Sequence, residues 1–136
     1  MKIITIILIA ATSMNIMHAQ NKLSEDDYSI FIQSLIGGER EVSVKNGRVD
    51  LVTDEFAIEI EKAPKWKEAI GQCLWYALNT NKKPAIILLI EDKSHYKYLI
   101  QLETTLNYGN LNESIKVFAF PQDFETLIEK KKTDSK

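Results

Sequence analysis

The sequence predicts an α/β domain in which helices flank a mixed β-sheet. Three features lead to this class: an Asn-Gly turn at 46–47 between two alternating segments, an apolar helical stripe that starts at Trp66, and an unbroken apolar run at 85–90. Asn-Gly between alternating segments predicts an antiparallel hairpin, whereas an unbroken apolar run favours a strand buried on both faces. The predicted element order is αβββαβαβα, which means a mixed sheet flanked by helices.

The first predicted helix begins after Ser24. Ser24 can cap its N-terminus, and three acids fill the first turn, where the helix dipole favours negative charge (Glu25, Asp26 and Asp27). Apolar residues then recur at helical spacing from Tyr28 to Leu35, and the Gly-Gly pair at 37–38 ends the helix.

A three-stranded antiparallel meander is predicted next. Its strands are 39–45, 48–53 and 56–61, and its turns are Asn-Gly at 46–47 and Asp-Glu at 54–55.

The strongest helical pattern follows Pro64. Apolar residues recur at i, i+3 and i+4 for more than three turns, at Trp66, Ala69, Ile70, Cys73, Leu74, Ala77 and Leu78. Lys-Lys-Pro at 82–84 ends this helix, and the apolar run named above follows as a strand. A helix from about 94 to 108, a strand at 115–120 and a last helix from 121 to about 131 complete the predicted fold.

Length and composition fit a single domain, which we place at 20–132 with a polar tail at 133–136. Of the 136 residues, 45% are hydrophobic and 26% charged, which argues against disorder. One cysteine and two histidines exclude a disulfide framework and a metal cage built on those residues. The formal charge of −2 disfavours binding of nucleic acid by bulk charge. Any nucleic-acid chemistry must therefore come from a localised site.

The amino terminus has the layout of a secretory signal peptide at residues 1–19. Lys2 supplies a positive start, Ile3–Ala11 is an apolar run too short to span a bilayer, and Ala19 precedes a possible cleavage point. The alternative is a buried hydrophobic first element. We expect export to a periplasm or to the cell exterior, without membrane association once the signal is removed.

Three carboxylates are predicted to converge on one face of the meander. Asp50 and Glu59 approach each other if the second and third strands pair across the short turn, and Glu61 shares a strand face with Glu59. Ile58 and Ile60 then point to the opposite face. Clustered acids raise each other's pKa, and a hard divalent cation such as Mg²⁺ relieves their repulsion. The alternative is that these acids line the exposed face of an ordinary meander.

Polar residues border the apolar stripe of the helix that starts near Trp66. Lys65, Gln72 and Tyr76 lie along one edge of the stripe, and Gln72 and Tyr76 are one turn apart. This edge favours a site at the end of the sheet, and the alternative is a boundary Gln with a half-buried Tyr. Lys62, Lys65 and Lys67 also surround Trp66, which suits a nucleic-acid backbone and a stacked base, although Trp66 equally fits a core position.

These residues resemble the three motifs of the PD-(D/E)xK nuclease superfamily, especially RecB-type exonuclease domains and Holliday-junction resolvases. The matching segments are Gly-Arg-Val-Asp at 47–50, Ile-Glu-Ile-Glu at 58–61 and Gln-x-x-x-Tyr at 72–76. The resemblance covers roughly residues 24–91 and implies a restriction endonuclease-like αβββαβ core. It also implies that Mg²⁺ or Mn²⁺ is bound by Asp50, Glu59 and the Ile60 carbonyl, with Glu41 as an extra acidic ligand.

By the same resemblance, Gln72 and Tyr76 orient the phosphate or the nucleic-acid strand. The sequence departs from the superfamily at Glu61, where lysine is usual, although some restriction enzymes of the superfamily carry glutamate there and are active. Lys62 lies on the opposite strand face, so Lys65 is the candidate for a migrated lysine.

Three hypotheses follow. The first is an exported, metal-dependent nuclease that hydrolyses phosphodiester bonds in DNA or RNA, with Asp50, Glu59, Glu61 and Lys65 as catalytic candidates and Gln72, Tyr76 and Lys62 as nucleic-acid contacts. The second is a nuclease-like fold that binds without cutting, and the third is a structural domain with a polar sheet face. The first two predict that the acids cluster in a concavity, and the third predicts that they are exposed and splayed. The choice of DNA or RNA, the cleavage mode and the oligomeric state stay open.

Overall fold

The structure, a computed structural model, describes residues 22–135. The signal peptide predicted at residues 1–19 lies outside the described residues. Within residues 22–135, no helix combines the length and the apolar character needed to cross a membrane.

Four α-helices and five β-strands are present in the described part of the chain. In chain order they are α1 (Glu25–Ile36), β1 (Glu39–Val44), β2 (Gly47–Val52), β3 (Phe56–Lys62), α2 (Trp66–Thr80), β4 (Lys83–Leu89), α3 (Tyr96–Tyr108), β5 (Lys116–Phe120) and α4 (Glu125–Asp134). The predicted order and the α/β class, with helices flanking a mixed sheet, are confirmed. Helix α4 continues to Asp134, into the segment predicted as a polar tail, and Lys131 and Lys132 in its last turn complement the helix dipole.

The five strands form one sheet in the order β1-β2-β3-β4-β5. β1, β2 and β3 pair antiparallel, as the hairpin signal predicts, whereas β4 and β5 continue the sheet in parallel. The β2–β3 ladder contains only the pairs Leu51↔Ile58 and Val52↔Ala57. Beyond these pairs the two strands separate, and Asp50 lies at the point of separation.

Each face of the sheet is covered by two helices. Helices α2 and α3 pack on one face, where the buried residues include Cys73, Ile86, Leu88 and Leu102. Helices α1 and α4 flank the other face, where the buried residues include Ile32, Ile58, Ile87 and Phe124. Alternate residues of β4 therefore enter opposite cores, which explains why its sequence is apolar without interruption.

The buried face of α2 differs from the predicted stripe. Trp66, Ala69, Cys73 and Ala77 are buried as predicted, but Leu74 and Leu78 are exposed, Leu78 by 74%. Tyr76 is buried instead, because α2 also packs over the β1–β2 hairpin and places Tyr76 and Ala77 against Val49. The contact with the hairpin rotates the buried face toward Tyr76, and the amphipathic pattern of the helix alone did not reveal this.

Candidate functional site

Asp50 occupies the gap that opens between β2 and β3. Its Oδ2 atom accepts a hydrogen bond from the backbone N–H of Ile60 at 2.8 Å. A side-chain oxygen therefore satisfies a donor that a continued ladder would have paired with backbone. This contact holds the Asp50 carboxyl against β3, beside Glu59.

The side chains of β2 change faces at Asp50. Val49 packs with Tyr76 and Ala77 beneath α2, whereas Leu51 packs with Ile32 beneath α1. Residues two apart in a regular strand share a face, so the alternation is broken between Val49 and Leu51. The break allows Asp50 to lie in the gap while both of its apolar neighbours stay buried.

The neighbouring strand β1 changes faces at the same level. Glu41 lies between the pairs Arg40↔Leu51 and Val42↔Val49, and so faces Asp50. Its φ angle is 59°, which is uncommon for a residue with a side chain. Val42 packs on the α2 side, whereas the Arg40 guanidinium reaches Ser29 and Asp26 of α1.

Glu59 is buried beside Asp50, with 6% of its surface exposed. Burial, together with the negative charges of Asp50 and Glu61, raises the pKa of the Glu59 carboxyl to about 9. Glu59 is also in hydrogen-bonding contact with Asp50, whose own pKa is raised mainly by burial, against the lowering effect of the Ile60 N–H. Because the Glu59 pKa lies above neutrality, Glu59 is protonated at pH 7 in the absence of metal. No N–H or O–H group in residues 22–135 donates to Glu59 Oε2.

Glu61 lies next to this pair and to the first turn of α1. Burial and, after it, the nearby Glu25 carboxylate raise its pKa to about 7. The backbone N–H of Lys62 donates to Glu61 Oε1 at 2.9 Å, and the positive charge of Lys65 also lowers the Glu61 pKa. Lys65 Nζ is 3.8 Å from Glu25 Oε1. Lys65 therefore lies beside the acids, as the hypothesis of a migrated lysine requires.

Sequence reasoning missed Glu25 as a member of this cluster. The pattern identified it only as an acid in the first turn of a helix, which is its capping role. Its approach to Glu61, 36 positions later, depends on how α1 crosses the end of the sheet. No local signal encodes that crossing.

Gln72 and Tyr76 face the acids from α2, as predicted. With its amide nitrogen turned toward the cluster, Gln72 donates to Glu59 Oε1 at 3.1 Å. The Tyr76 hydroxyl is in hydrogen-bonding contact with Gln72, and it accepts a hydrogen bond from the backbone N–H of Arg48. Burial raises the Tyr76 pKa, and so does the charge of Glu59. Gln72 thus links the buried acids to Tyr76.

Tyr76 also requires the glycine at the start of β2. A Cβ atom added to Gly47 would lie 2.6 Å from Tyr76 Cε1, closer than real Cβ contacts come. The Gly-Arg-Val-Asp segment therefore has two functions in this fold, since Gly47 receives the tyrosine ring and Asp50 supplies the carboxylate.

Lys62 is not brought to the acids. Its side chain lies on the opposite face of β3, where Nζ donates to the Leu23 carbonyl oxygen at 3.0 Å and pairs with Glu91 at 3.5 Å. These contacts anchor the segment before α1, and the expected nucleic-acid contact at Lys62 is replaced by a structural one.

Trp66 differs from its expected role, whereas the role of Glu41 as an extra metal ligand stays a prediction. The Glu41 carboxylate pairs with Arg48 at 2.9 Å, and its charge contributes to the raised pKa of Asp50. Trp66 is only 7% exposed and packs in the core beneath α2, with Lys67 Nζ 5.7 Å from its ring centroid. The basic–aromatic cluster around Trp66 is therefore a core tryptophan with a solvated flank.

The donors in the gap are compatible with one hard cation. No three His, Cys, Asp or Glu side chains within residues 22–135 converge as a metal cage. Mg²⁺ does not need such a cage, because it retains waters and binds through one or two carboxylates. Asp50 and Glu59 supply two, and the Glu59 Oε2 atom that receives no hydrogen bond is the orphaned oxygen that such an ion would satisfy.

Comparison with known proteins finds relatives among viral proteins. KilA-N domain-containing protein L32 of Acanthamoeba polyphaga mimivirus is 32% identical over 98 residues, which is 72% of this chain and 24% of the relative. KilA-N domain-containing protein L33 of the same virus is 40% identical over 81 residues, which is 60% of this chain and 27% of the relative. The chain spans about a quarter of the length of these relatives. No family model matches the chain, and no solved structure matches it significantly.

Proposed function

We propose that the chain is a nucleic-acid-binding domain with a nuclease-like site around Asp50 and Glu59. The observation that carries the proposal is the half-buried Asp50 carboxyl beside the buried Glu59 carboxyl, both with raised pKa values, which Gln72 connects to Tyr76. A structural domain with a polar sheet face would leave these acids exposed and separate. Membership of the PD-(D/E)xK superfamily belongs to this proposal, and it is supported by the three motifs meeting at one place.

The relatives support a nucleic-acid partner. They contain KilA-N domains, which are a family of DNA-binding domains. The chain spans only about a quarter of the length of these viral proteins. DNA binding is therefore proposed for this chain. Export through a signal peptide at residues 1–19 is likewise part of the proposal.

The site would bind nucleic acid through a divalent cation rather than through bulk positive charge. Asp50, Glu59 and the Ile60 carbonyl would hold Mg²⁺ or Mn²⁺, which attracts phosphate oxygens and activates bound water when present. The Ile60 N–H orients Asp50, and the Gln72 amide orients Glu59. Because Glu59 carries a proton in the absence of metal, metal binding would release that proton.

Hydrolysis of phosphodiester bonds is the second candidate function. Glu61 favours it, because a carboxyl group whose pKa is about 7 can accept or donate a proton near neutral pH. Glu25 and Lys65 set that pKa in opposite directions. Glu61 would therefore exchange the proton at the position where the superfamily usually has lysine.

Binding is tested by fluorescence anisotropy with labelled DNA and RNA, single-stranded and duplex, in EDTA and in Mg²⁺. We expect binding that Mg²⁺ strengthens at least tenfold. Asp50→Asn should abolish the Mg²⁺ effect, because it removes one charge with little change in volume. Asp54→Asn is the matched control, since Asp54 lies exposed on the β2–β3 turn. Absence of binding under every condition would overturn the proposal.

Cleavage is tested on the same nucleic acids with Mg²⁺ or Mn²⁺. If the second candidate is right, the wild type and Asp54→Asn cut, whereas Asp50→Asn and the chelated wild type do not. Asp50→Asn purified in the same way also controls for contaminating nucleases. Binding without cleavage, in the wild type and in Glu61→Lys, would overturn the hydrolytic candidate and leave the binding domain.

A further inference from the structure

We propose that Trp75 is a stacking platform for a base of single-stranded nucleic acid, at one end of a path that leads to the acids. The inference rests on the proposed function, since it assumes that the site takes nucleic acid. It adds that the nucleic acid is single-stranded and that one of its bases stacks on Trp75.

Trp75 is exposed and held in place. Of its surface, 37% faces solvent, and its indole Nε1 donates to the Lys45 carbonyl oxygen at 2.7 Å. The polar edge of the ring is therefore fixed on the β1–β2 turn. An aromatic ring held in this way loses little conformational freedom when a base stacks on it.

The path from Trp75 to the acids follows the β1–β2 hairpin. Trp75 contacts the turn at Lys45, and the next residue of α2, Tyr76, packs on Gly47. Asp50 is three residues further along β2, so about 10 Å of strand separate Gly47 from Asp50. Gln72, one turn before Tyr76, reaches Glu59. The contact between α2 and the hairpin therefore has Trp75 at one end and the Asp50–Glu59 pair at the other.

Charge on the hairpin favours a nucleic-acid strand as the occupant of this surface. Lys45 and Arg48 are both exposed on the same hairpin. Glu41 pairs with Arg48 at 2.9 Å, but the pair is open to solvent and therefore weak. Aromatic faces accept any base, whereas the faces of paired bases are covered by their neighbours. The end of α2 at Trp75 therefore fits a single strand, with a phosphate near Lys45 and a base on Trp75.

A protein partner is the alternative occupant, since Leu74 and Leu78 are exposed on either side of Trp75 along α2. An apolar interface would use Leu78 as much as Trp75. A stacking platform would depend on Trp75 alone. The two occupants therefore predict different behaviour of Leu78→Ala, which makes it the matched control.

The test is tryptophan fluorescence during titration with a twelve-residue oligothymidylate in EDTA, which prevents metal-dependent cleavage. The chain has two tryptophans, so Trp66→Phe leaves Trp75 as the only one. We expect the oligonucleotide to quench its emission. Trp75→Ala should weaken binding about 5- to 150-fold, measured by anisotropy. Trp75→Phe should retain most of the affinity, and Leu78→Ala should change it less than twofold.

The outcomes separate this inference from the proposed function. Binding without quenching, with Trp75→Ala equal to the wild type, would overturn the platform and leave the binding domain in place. Equal losses in Trp75→Ala and Leu78→Ala would also overturn it, in favour of an apolar interface. Absence of binding in EDTA would overturn the platform, and absence of binding in Mg²⁺ as well would overturn both. Asp54→Asn should bind as the wild type does in EDTA, because Asp54 lies exposed on the β2–β3 turn and belongs to neither the platform nor the acid cluster. Circular dichroism checks that each variant is folded. If Trp75→Ala does not fold, quenching of the Trp75 emission in Trp66→Phe tests the platform instead.

Discussion

Glu41 and Asp50 face each other across β1 and β2 at the level where both strands change faces. The φ angle of 59° at Glu41 turns β1, and Asp50 leaves the ladder to accept the Ile60 N–H. The backbone irregularity of β1 and β2 thus lies at the position where the Asp50 carboxylate enters the gap between β2 and β3. Backbone in a sparsely populated region costs about 1–3 kcal/mol and persists where the surrounding structure holds it.

We expect Glu41→Gly to stabilise the fold slightly, by up to about 1 kcal/mol, because glycine adopts a positive φ without a steric penalty. Loss of the exposed pair with Arg48 should cost less than this. Urea unfolding measures the change, and Glu41→Gln is the control, since it removes the charge and keeps the side chain. A destabilisation of more than about 1 kcal/mol would show that Glu41 holds the hairpin by other means.

Gly47→Ala should destabilise the protein by about 1–3 kcal/mol, the usual cost of overpacking. The added Cβ would lie 2.6 Å from the Tyr76 ring. Gly71→Ala is the opposite control, because nothing lies within 4 Å of a Cβ placed there and alanine favours the helix interior. That substitution should stabilise by about 0.5–1 kcal/mol. Denaturant midpoints of the two variants should therefore move in opposite directions, and a parallel shift would argue against a tight Gly47–Tyr76 contact.

Without metal, stability should fall as pH rises from about 4.5 to 9. The pKa of Glu59 is about 9 in the folded protein and 4.5 in its unperturbed form. Between these two pH values the folded state binds one more proton than the unfolded state. The stability that this proton contributes is complete below pH 4.5 and is lost once the pH has risen through the folded-state pKa of about 9. One such proton contributes a slope of about 1.4 kcal/mol per pH unit. Melting temperatures at pH 5, 7 and 9 in EDTA measure the effect.

Glu59→Gln should flatten this pH dependence, since glutamine imitates the protonated acid. Glu103→Gln is the control, because Glu103 is exposed on α3. If the Glu59→Gln profile stayed parallel to that of the wild type, Glu59 would not be the group that takes up the proton.

Glu61→Lys should lower the pKa of Glu59, because it replaces a nearby negative charge with a positive one. Carbon NMR titration of the glutamate carboxyls measures this shift. If the protein cuts nucleic acid, the variant should keep or raise the cleavage rate, since lysine is the residue that the superfamily usually has there. An unchanged Glu59 pKa would place residue 61 further from the pair than its present effect indicates.

Much of the fold follows from local patterns. Periodicity and turn chemistry predict the order of the helices and strands, and the short turn at 54–55 sets the β2–β3 register that brings Asp50 toward Glu59. Helical spacing likewise places Gln72 and Tyr76 on one edge of α2. These features depend on residues close together in the chain, whose geometry is set by backbone sterics and hydrogen bonding.

Other features arise only when distant segments pack. Glu25 reaches Glu61 because α1 crosses the end of the sheet, and Lys62 turns to Glu91 on the opposite face. Contact with the hairpin rotates α2, which buries Tyr76 and leaves Trp75 and Leu78 exposed. An amphipathic pattern shows that a helix has a buried side, but the partner surface decides where that side ends. The acids are likewise visible in the sequence, whereas the raised pKa values of Asp50 and Glu59 come mainly from burial, which only the assembled sheet and helices provide.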